Sequence, residues 1–388
     1  MRRQHTQISF VILILCVSVM PFQPVRAGTE SSRPNVLMIC IDDLNNWVGC
    51  LGGHPDAHTP NIDRLAQRGV LFTNAHCQAP ICNPSRTSFM LGVRPSTTGI
   101  YMNKPWFRNT ARNRDRVTLT QHFAAQGYRT FTTGKIYHAS HRDGPSFQVV
   151  GPLPGQKNPL DQRIQSELSG LWDFGAQAFD EDKFNDHVDA SWAIAQLGQT
   201  QASPFFLTVG FYRPHVPFYY PKRLSSLMPR DTIDLPVVID GDRDDLPRIA
   251  TQVTANGTPP SHTWFLQDGR WKEAVQAYLA CTRFTDEQVG RVLDALDKSE
   301  HARNTIVVLL SDHGFHLGEK ERWAKQSLWE RSTHVPFIIS LPDGLRGVKC
   351  DKPVELLSVF PTLIDLCEVE RRQQLEGTGL VPLLADPD

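Results

Sequence analysis

The sequence predicts an α/β fold, a large and mostly parallel sheet flanked by helices, and three observations carry that prediction. Apolar runs of strand length, Asn35-Val-Leu-Met-Ile-Cys-Ile41, Pro204-Phe-Phe-Leu-Thr-Val-Gly210 and Thr305-Ile-Val-Val-Leu-Leu-Ser311, are continuous rather than alternating, as strands covered on both faces must be. Segments of helical period, 183–197 and 271–296, lie between them, and strands alternating with helices build one doubly wound layer structure. The chain has 388 residues and no internal repeat, with 28 prolines and 26 glycines, so a single large domain with long, shaped loops is expected.

Residues 1–27 read as a cleavable signal peptide. Arg2 and Arg3 precede an apolar run over residues 8–20, and Val25-Arg26-Ala27 supplies a small-x-small cleavage signal. The run is short for a bilayer and no second one follows, so no stable membrane span is expected. Leu15 before Cys16 gives no support to a lipoprotein cleavage site. The catalytic domain is therefore expected over 28–388, in a secreted or periplasmic protein. Forty basic residues against 41 acidic ones leave no global field to recruit nucleic acid or a membrane surface. Any anionic ligand must be caught locally. Of eight cysteines, Cys16 leaves with the signal, and Cys40, Cys50, Cys77, Cys281, Cys350 and Cys367 face an oxidising compartment in pairings that spacing does not reveal. No C-x-x-C is present, which argues against a zinc ribbon or a thioredoxin-like site.

In chain order, the first strand ends in Asp42-Asp43. Thr59-Pro60 opens a short helix that Gly69 closes, with Thr59 as its expected cap. A strand is expected over 70–75, a helix over 118–126 closed by Gly127, and a strand over 128–133 that exits into Gly134-Lys135-Ile136-Tyr137-His138. Residues 141–159 and 221–265 are rich in loop formers and read as long excursions. The strand at 204–210 leads into Phe211-Tyr-Arg-Pro-His-Val-Pro-Phe218, where Pro214 and Pro217 hold His215 in a stiff, extended loop. The strand at 305–311 ends in Asp312-His313-Gly314. Beyond it lie Trp323-Ala324-Lys325, a strand over 334–340 and a helix over 358–367.

Polar groups thus stand where apolar strands give way to loops, the mouth of an α/β sheet at which ligands bind. Asp42, Asp43 and Asp312 form a hard, oxygen-rich set suited to calcium, magnesium or manganese, with His313 as the odd ligand. Cys82 in Pro80-Ile-Cys-Asn-Pro-Ser-Arg-Thr-Ser-Phe-Met-Leu-Gly92 precedes a proline suited to a first helical turn. At a helix N-terminus a thiol is acidified and backbone N–H groups face an anion. Read from the residues alone, Cys82 is either a buried structural cysteine or the nucleophile of a metal-assisted hydrolase of an anionic ester.

The pattern Cys82-Asn83-Pro84-Ser85-Arg86 resembles the substrate of the formylglycine-generating machinery, and the chain from about residue 33 to 384 resembles the formylglycine-dependent sulfatases of the alkaline-phosphatase superfamily, nearest their iduronate-2-sulfatase-type branch. Asp42-Asp43, Gly134-Lys135-x-x-His138, Pro214-His215-x-Pro217-Phe218, Ser311-Asp312-His313-Gly314 and Trp323-Ala324-Lys325 carry it. The resemblance implies that Cys82 is oxidised to formylglycine by a formylglycine-generating or anaerobic maturating enzyme. It implies that Asp42, Asp43, Asp312, His313 and modified Cys82 hold calcium, and that Arg86 and Lys135 fix the aldehyde hydrate. One hydroxyl of that hydrate would attack sulfur, with His215 and Lys325 on the leaving side, and His138 as the base that collapses the sulfated hemiacetal. The implied substrate is a sulfated carbohydrate of glycosaminoglycan type, with a 2-O-sulfated uronate as the candidate.

Two departures from the family pattern stand out. Leu91 replaces the threonine or serine that many relatives carry before Gly92. The chain stops at residue 388, where relatives continue into a smaller C-terminal subdomain, so the segment 380–384 is expected to have little to pack against. The alternatives are a phosphonate or phosphate monoester hydrolase of the same superfamily, and a truncated, inactive sugar-binding protein.

Overall fold

The computed structural model describes residues 33–153, 163–165, 167–168, 170–254, 259–267, 269–372 and 374–387. The signal peptide expected over 1–27, Cys16 included, lies outside them, as does part of the loop expected over 141–159.

Eight strands form the main sheet. In chain order they are β1 Asn35–Asp42, β2 Val70–Phe72, β3 Arg129–Gly134, β4 Val149–Val150, β5 Phe205–Pro214, β6 Thr305–Ser311, β7 Phe337–Ser340 and β8 Val348–Cys350. Their spatial order is β8-β2-β7-β6-β1-β5-β3-β4. Only β7 runs against its neighbours β6 and β2; every other adjacent pair is parallel. The expected large, mostly parallel sheet is what the chain forms.

The main helices are α1 Pro60–Ala66, α2 Cys82–Leu91, α3 Leu119–Ala125, α4 Asn185–Leu197, α5 Arg270–Lys298 and α6 Val359–Leu366. Strand alternation sorts β1 between two cores. Val36, Met38 and Cys40 pack with Phe89 and Met90 of α2, Phe123 of α3 and Phe360 of α6. Leu37, Ile39 and Ile41 pack with Leu65 of α1, Ala190 and Ala193 of α4 and Val289 and Leu293 of α5. Burial on both faces is why the run in the sequence is continuously apolar.

Several boundaries differ from expectation for identifiable reasons. The run at 70–75 splits into β2 and a two-residue strand, Ala75–His76, which pairs elsewhere. The strand expected from 334 starts only at Phe337, after Pro336, which has no N–H to give to a ladder. Thr59 does not cap α1: its hydroxyl oxygen accepts from Gly49 N–H at 2.8 Å. The free N–H groups of Asn61 and Ile62 go instead to the Asp286 carboxylate on α5, at 3.1 and 2.8 Å. Burial pushes the Asp286 carboxyl up to about 6. Helix α3 does carry a capping box between Thr118 and Gln121. The excursion at 221–265 is broken by short helices at Arg223–Leu227, Arg248–Thr254 and His262–Phe265. All seven cysteines among the described residues are unpaired.

The expectation for the C-terminal segment is overturned. Leu380 and Leu384 are each 4% exposed and join the core formed by Phe360, Leu363 and Ile364, because a short helix, Val381–Ala385, folds back onto α6. Its placement is fixed by Leu380 N–H, which donates to the Thr362 hydroxyl at 2.8 Å. Leu384→Ala is accordingly expected to lower unfolding free energy by about 2–5 kcal/mol, the range for truncating a buried leucine. A loss near zero in urea denaturation would show that this segment adds nothing to the core.

Candidate active site

Register places the site. Ile41 lies opposite Phe211 of β5 and Ser311 of β6, and Gly134 of β3 lies opposite Gly210 of β5, so the residues after these strands emerge along one edge. Gly210 permits the closest approach: a Cβ there would sit 2.2 Å from the Lys135 carbonyl oxygen and 2.6 Å from its nitrogen. Lys135 N–H instead donates to Gly210 O at 2.8 Å. Between Ile41 and Asp42 the pairing jumps from Phe211 to Pro214, which leaves Tyr212 and Arg213 as extra residues. Their N–H groups are taken up by the buried Asp186 carboxylate at the start of α4, at 2.6 and 3.1 Å. Asp43 has φ of 62°, a strained conformation for a residue with a side chain. Asp312 Oδ1 accepts from its N–H at 3.2 Å, and the Tyr278 hydroxyl donates to its carbonyl at 2.8 Å.

Cys82 is the first residue of α2, preceded by the extended Ile81, as its sequence context predicts. Its Sγ lies 3.3 Å from His313 Nε2, 3.4 Å from Lys325 Nζ, 3.6 Å from Asp42 Oδ1 and 3.7 Å from Lys135 Nζ. Burial would raise this thiol, yet Lys135, Lys325 and His313 together hold it well below its ordinary value, and His138 adds a hydrogen bond. One helical turn on, the wholly buried Arg86 donates from Nε to Asp312 Oδ2 at 2.7 Å and from Nη2 to Asp42 Oδ1 at 3.2 Å. Lys135 donates to Asp42 and Lys325 to Asp43. His215 Nε2 stands 3.8 Å from Asp43 Oδ2. His138 is half-buried with Nδ1 unpartnered. Every site residue named from the sequence is brought to this one strand edge.

The donor set fits a cation. Two overlapping groups, Asp42, Cys82, Asp312 and His313, and Asp42, Asp43, Cys82 and His215, each hold their ligand atoms within 4.8 Å of one another. Asp43 Oδ2 is buried without a partner. His313 Nδ1 must donate to the Gly314 carbonyl at 3.0 Å, so neutral His313 turns the Nε2 lone pair toward Asp43 and Asp312, each at 3.4 Å. A lone pair facing acceptor oxygens needs a proton or a metal ion between them. Asp312 is raised by burial to about 6 despite Arg86. Asp42, though buried beside Cys82, is held below its ordinary value by Lys135, His215 and Arg86. His313, which burial would lower, is raised to about 9 chiefly by Asp312.

Sequence reasoning missed the supports. Tyr212 packs against His215 with ring centroids 4.8 Å apart, and Lys135 Nζ lies 5.2 Å from the Tyr212 ring centroid. Ser311 accepts from Leu44 N–H and donates to the His313 carbonyl, both at 3.0 Å. Ser85 donates to the Asp312 carbonyl, and Asn83 ties α2 to the carbonyls of Met102 and Pro105 at 2.9 and 3.0 Å. Tyr212, Ser85, Ser311 and Asn83 stood inside quoted motifs without a role; nothing local marks Tyr278 or Asp186.

A family model described as Sulfatase matches residues 34–369. A sulfatase from Formosa agariphila is 38% identical over 392 residues, covering 97% of this chain and 77% of that one. Human iduronate 2-sulfatase is 32% identical over 415 residues, covering 97% and 72%. Among solved structures, the phosphonate monoester hydrolase of Agrobacterium radiobacter superimposes with a TM-score of 0.74 at 22% identity, over 92% of this chain and 78% of its own.

Arg86 bridges two carboxylates with no exposure of its own. Arg86→Gln is expected to cost about 3–5 kcal/mol of stability, the loss seen when one partner of a buried ion pair is removed. Chemical denaturation checks it, and a change below about 1 kcal/mol would show that the carboxylates do not depend on this bridge.

Proposed function

The chain belongs to the sulfatase family, and on that footing we propose that it removes sulfate from a sulfated carbohydrate, using Cys82 as formylglycine and a calcium ion held by Asp42, Asp43, Asp312, His313 and the modified residue 82. The observation that carries this is the convergence on one buried atom: Cys82 Sγ, at a helix N-terminus, within 3.3–3.7 Å of an acid, an imidazole and two ammonium groups. The thiol stands where an oxygen of the hydrated aldehyde would be. A divalent cation bound there would polarise the ester and sharpen that oxygen as a nucleophile.

The residues divide the remaining work. Arg86 and Lys135 hold Asp42 and Asp312 in place and offset negative charge around residue 82. Lys325 and His215 flank Asp43 from the other side, placed to give a proton to the leaving oxygen. In His215, Nδ1 donates to the Val216 carbonyl at 2.6 Å, so Nε2 is the atom free to exchange a proton toward the site. His138, next to residue 82, is the base that takes the proton from the second hydroxyl, so that the aldehyde re-forms as sulfate departs. A 2-O-sulfated uronate is the candidate substrate. The likeness to human iduronate 2-sulfatase supports it, as does histidine rather than asparagine after Asp312. Export is expected from residues 1–27, and no helix among the described residues is long and apolar enough to cross a membrane.

Peptide mass spectrometry over residue 82, after co-expression with a maturating enzyme, is expected to show aldehyde in place of thiol, and Cys82→Ala is expected to abolish turnover with the fold retained. Unmodified protein that still cleaves sulfate esters would sink the mechanism. Sulfate monoesters are expected to be turned over faster than matched phosphate monoesters on the same preparation; the reverse order would favour the phosphonate and phosphate alternative. Exhaustive chelation is expected to remove activity and lower the thermal midpoint, since the carboxylates would then repel. Calcium should restore both, and full activity in the chelated protein would refute the shared site.

A further inference from the structure

We infer that Arg322 is the positioning residue that fixes Lys325 in the site. Lys325 follows a two-pair hairpin in which His316 faces Ala324 and Leu317 faces Trp323. It is flanked by Ala324 at φ 71° and Gln326 at φ 69°, left-handed conformations that cost a residue with a side chain about 1–2 kcal/mol each. Such a turn persists only where its surroundings hold it.

Arg322 supplies the hold. Its Nη2 donates to the Lys325 carbonyl at 2.6 Å and to the Gln326 carbonyl at 3.1 Å. Gln326 N–H donates in turn to Pro80 O at 2.9 Å, two residues before Cys82, so one short turn is tied to Arg322 on one side and to the approach of the nucleophile on the other. The guanidinium is unusual in what it lacks. Arg322 is 9% exposed, yet no carboxylate among the described residues pairs with it, and its Nε is buried without a partner. The nearest acids in sequence are engaged elsewhere: Glu319 with Arg331 at 2.7 Å, Glu321 with Arg243. Burial, with Arg243 adding repulsion, lowers the guanidinium to about 10. A buried cation without an ion-pair partner is a poor stabilising device. Its directed bonds go to the two carbonyls that set where the Lys325 side chain begins. From there Nζ reaches Asp43 and stands 3.4 Å from Cys82 Sγ.

The inference rests on the reading that Lys325 serves the leaving oxygen. The test is a double-mutant cycle of Arg322→Met and Lys325→Met in calcium-loaded, formylglycine-bearing enzyme, assayed on aryl sulfates of rising leaving-group pKa and on an alkyl sulfate. Lys325→Met is expected to lose about 100-fold or more in kcat on the poorest leaving group and little on the best, the pattern of a lost general acid. Arg322→Met is expected to show the same dependence on leaving group at about tenfold, with KM changed less than about threefold, and the double variant to be no slower than Lys325→Met. Arg322→Lys, which keeps a donor but not the fork, should fall between, and it completes the cycle if the methionine variant does not fold. A loss from Arg322 variants that is uniform across leaving groups, or that adds to the loss from Lys325→Met, would overturn the inference. A uniform loss from Lys325→Met itself would instead overturn the leaving-side reading, and additivity in the cycle would still decide whether Arg322 acts through Lys325.

Discussion

Three carboxylates, Asp42, Asp43 and Asp312, lie with no exposure at the end of the central strands, and the rest of the structure answers that constraint. Ionised groups removed from water lose several kcal/mol of solvation each, and mutual attraction seldom returns more than that. Arg86, Lys135 and Lys325 are the cations that face them, and two further atoms, Asp43 Oδ2 and His313 Nε2, remain oriented toward the cluster. A chain selected only for stability would fill this volume with apolar side chains. The retained charge leaves a buried donor set that fits a cation, and the large hydrophobic sheet is the rigid support on which that charge is kept.

The fold's details follow from having to bring these groups together from far apart in the chain. Parallel register aligns the exits of β1, β3, β5 and β6, and the Gly134–Gly210 contact lets Lys135 approach. The two extra residues in β5 turn Tyr212 beneath Lys135 and against His215, and Asp186 accepts the N–H groups that the bulge removes from the ladder. On the far side, the Tyr278 hydroxyl on α5 donates to the strained Asp43 carbonyl and accepts from Asn45 N–H at 2.9 Å. Ser85, Ser311, Tyr278 and Asp186 act on backbone groups and Tyr212 through its ring, so these supports set position without competing for the ligand atoms.

This division explains what was legible in the sequence. Doubly buried strands announce themselves as apolar runs, and polar residues at their exits mark the mouth of the sheet, so Asp42, Asp43, Lys135, Asp312 and His313 could be named from pattern. The proposals of formylglycine and of calcium rest on resemblance, since spacing carries neither. Partners distant in the chain left no mark: Asp286 capping α1 across more than two hundred residues, Asp186 at the bulge, Tyr278 under Asp43. The reversed direction of β7 is likewise invisible, because an apolar run does not state which way it pairs. The burial of Leu380 and Leu384 was misjudged because it depends on a helix folding back onto α6, a tertiary choice that composition does not express.

Lys325 is the site residue held by the least regular structure, and the attachments of its hairpin differ in kind at its two ends. At the base, Trp323 stacks on Phe265 with centroids 3.4 Å apart, and Trp271 Nε1 donates to the Leu317 carbonyl at 2.7 Å. These contacts, buried at Phe265 and Trp323 and half-buried at Trp271, anchor the hairpin to α5 and to the short helix before it. At the tip, Lys320 pairs with Asp242 at 2.8 Å and Arg243 with Glu321, all partly exposed. Exposed pairs of this sort contribute about 0–1 kcal/mol and weaken with salt. The excursion at 221–265 is therefore fastened to the hairpin firmly through packing and loosely through charge. The stacked base and the Arg322 fork, rather than the ionic tip, support the turn from which Lys325 Nζ stands 3.4 Å from Cys82 Sγ. The Lys325 turn is thus held from its buried side, by the Arg322 fork and by the bond from Gln326 N–H to Pro80 O at 2.9 Å, and the exposed pairs at the tip add little to that hold.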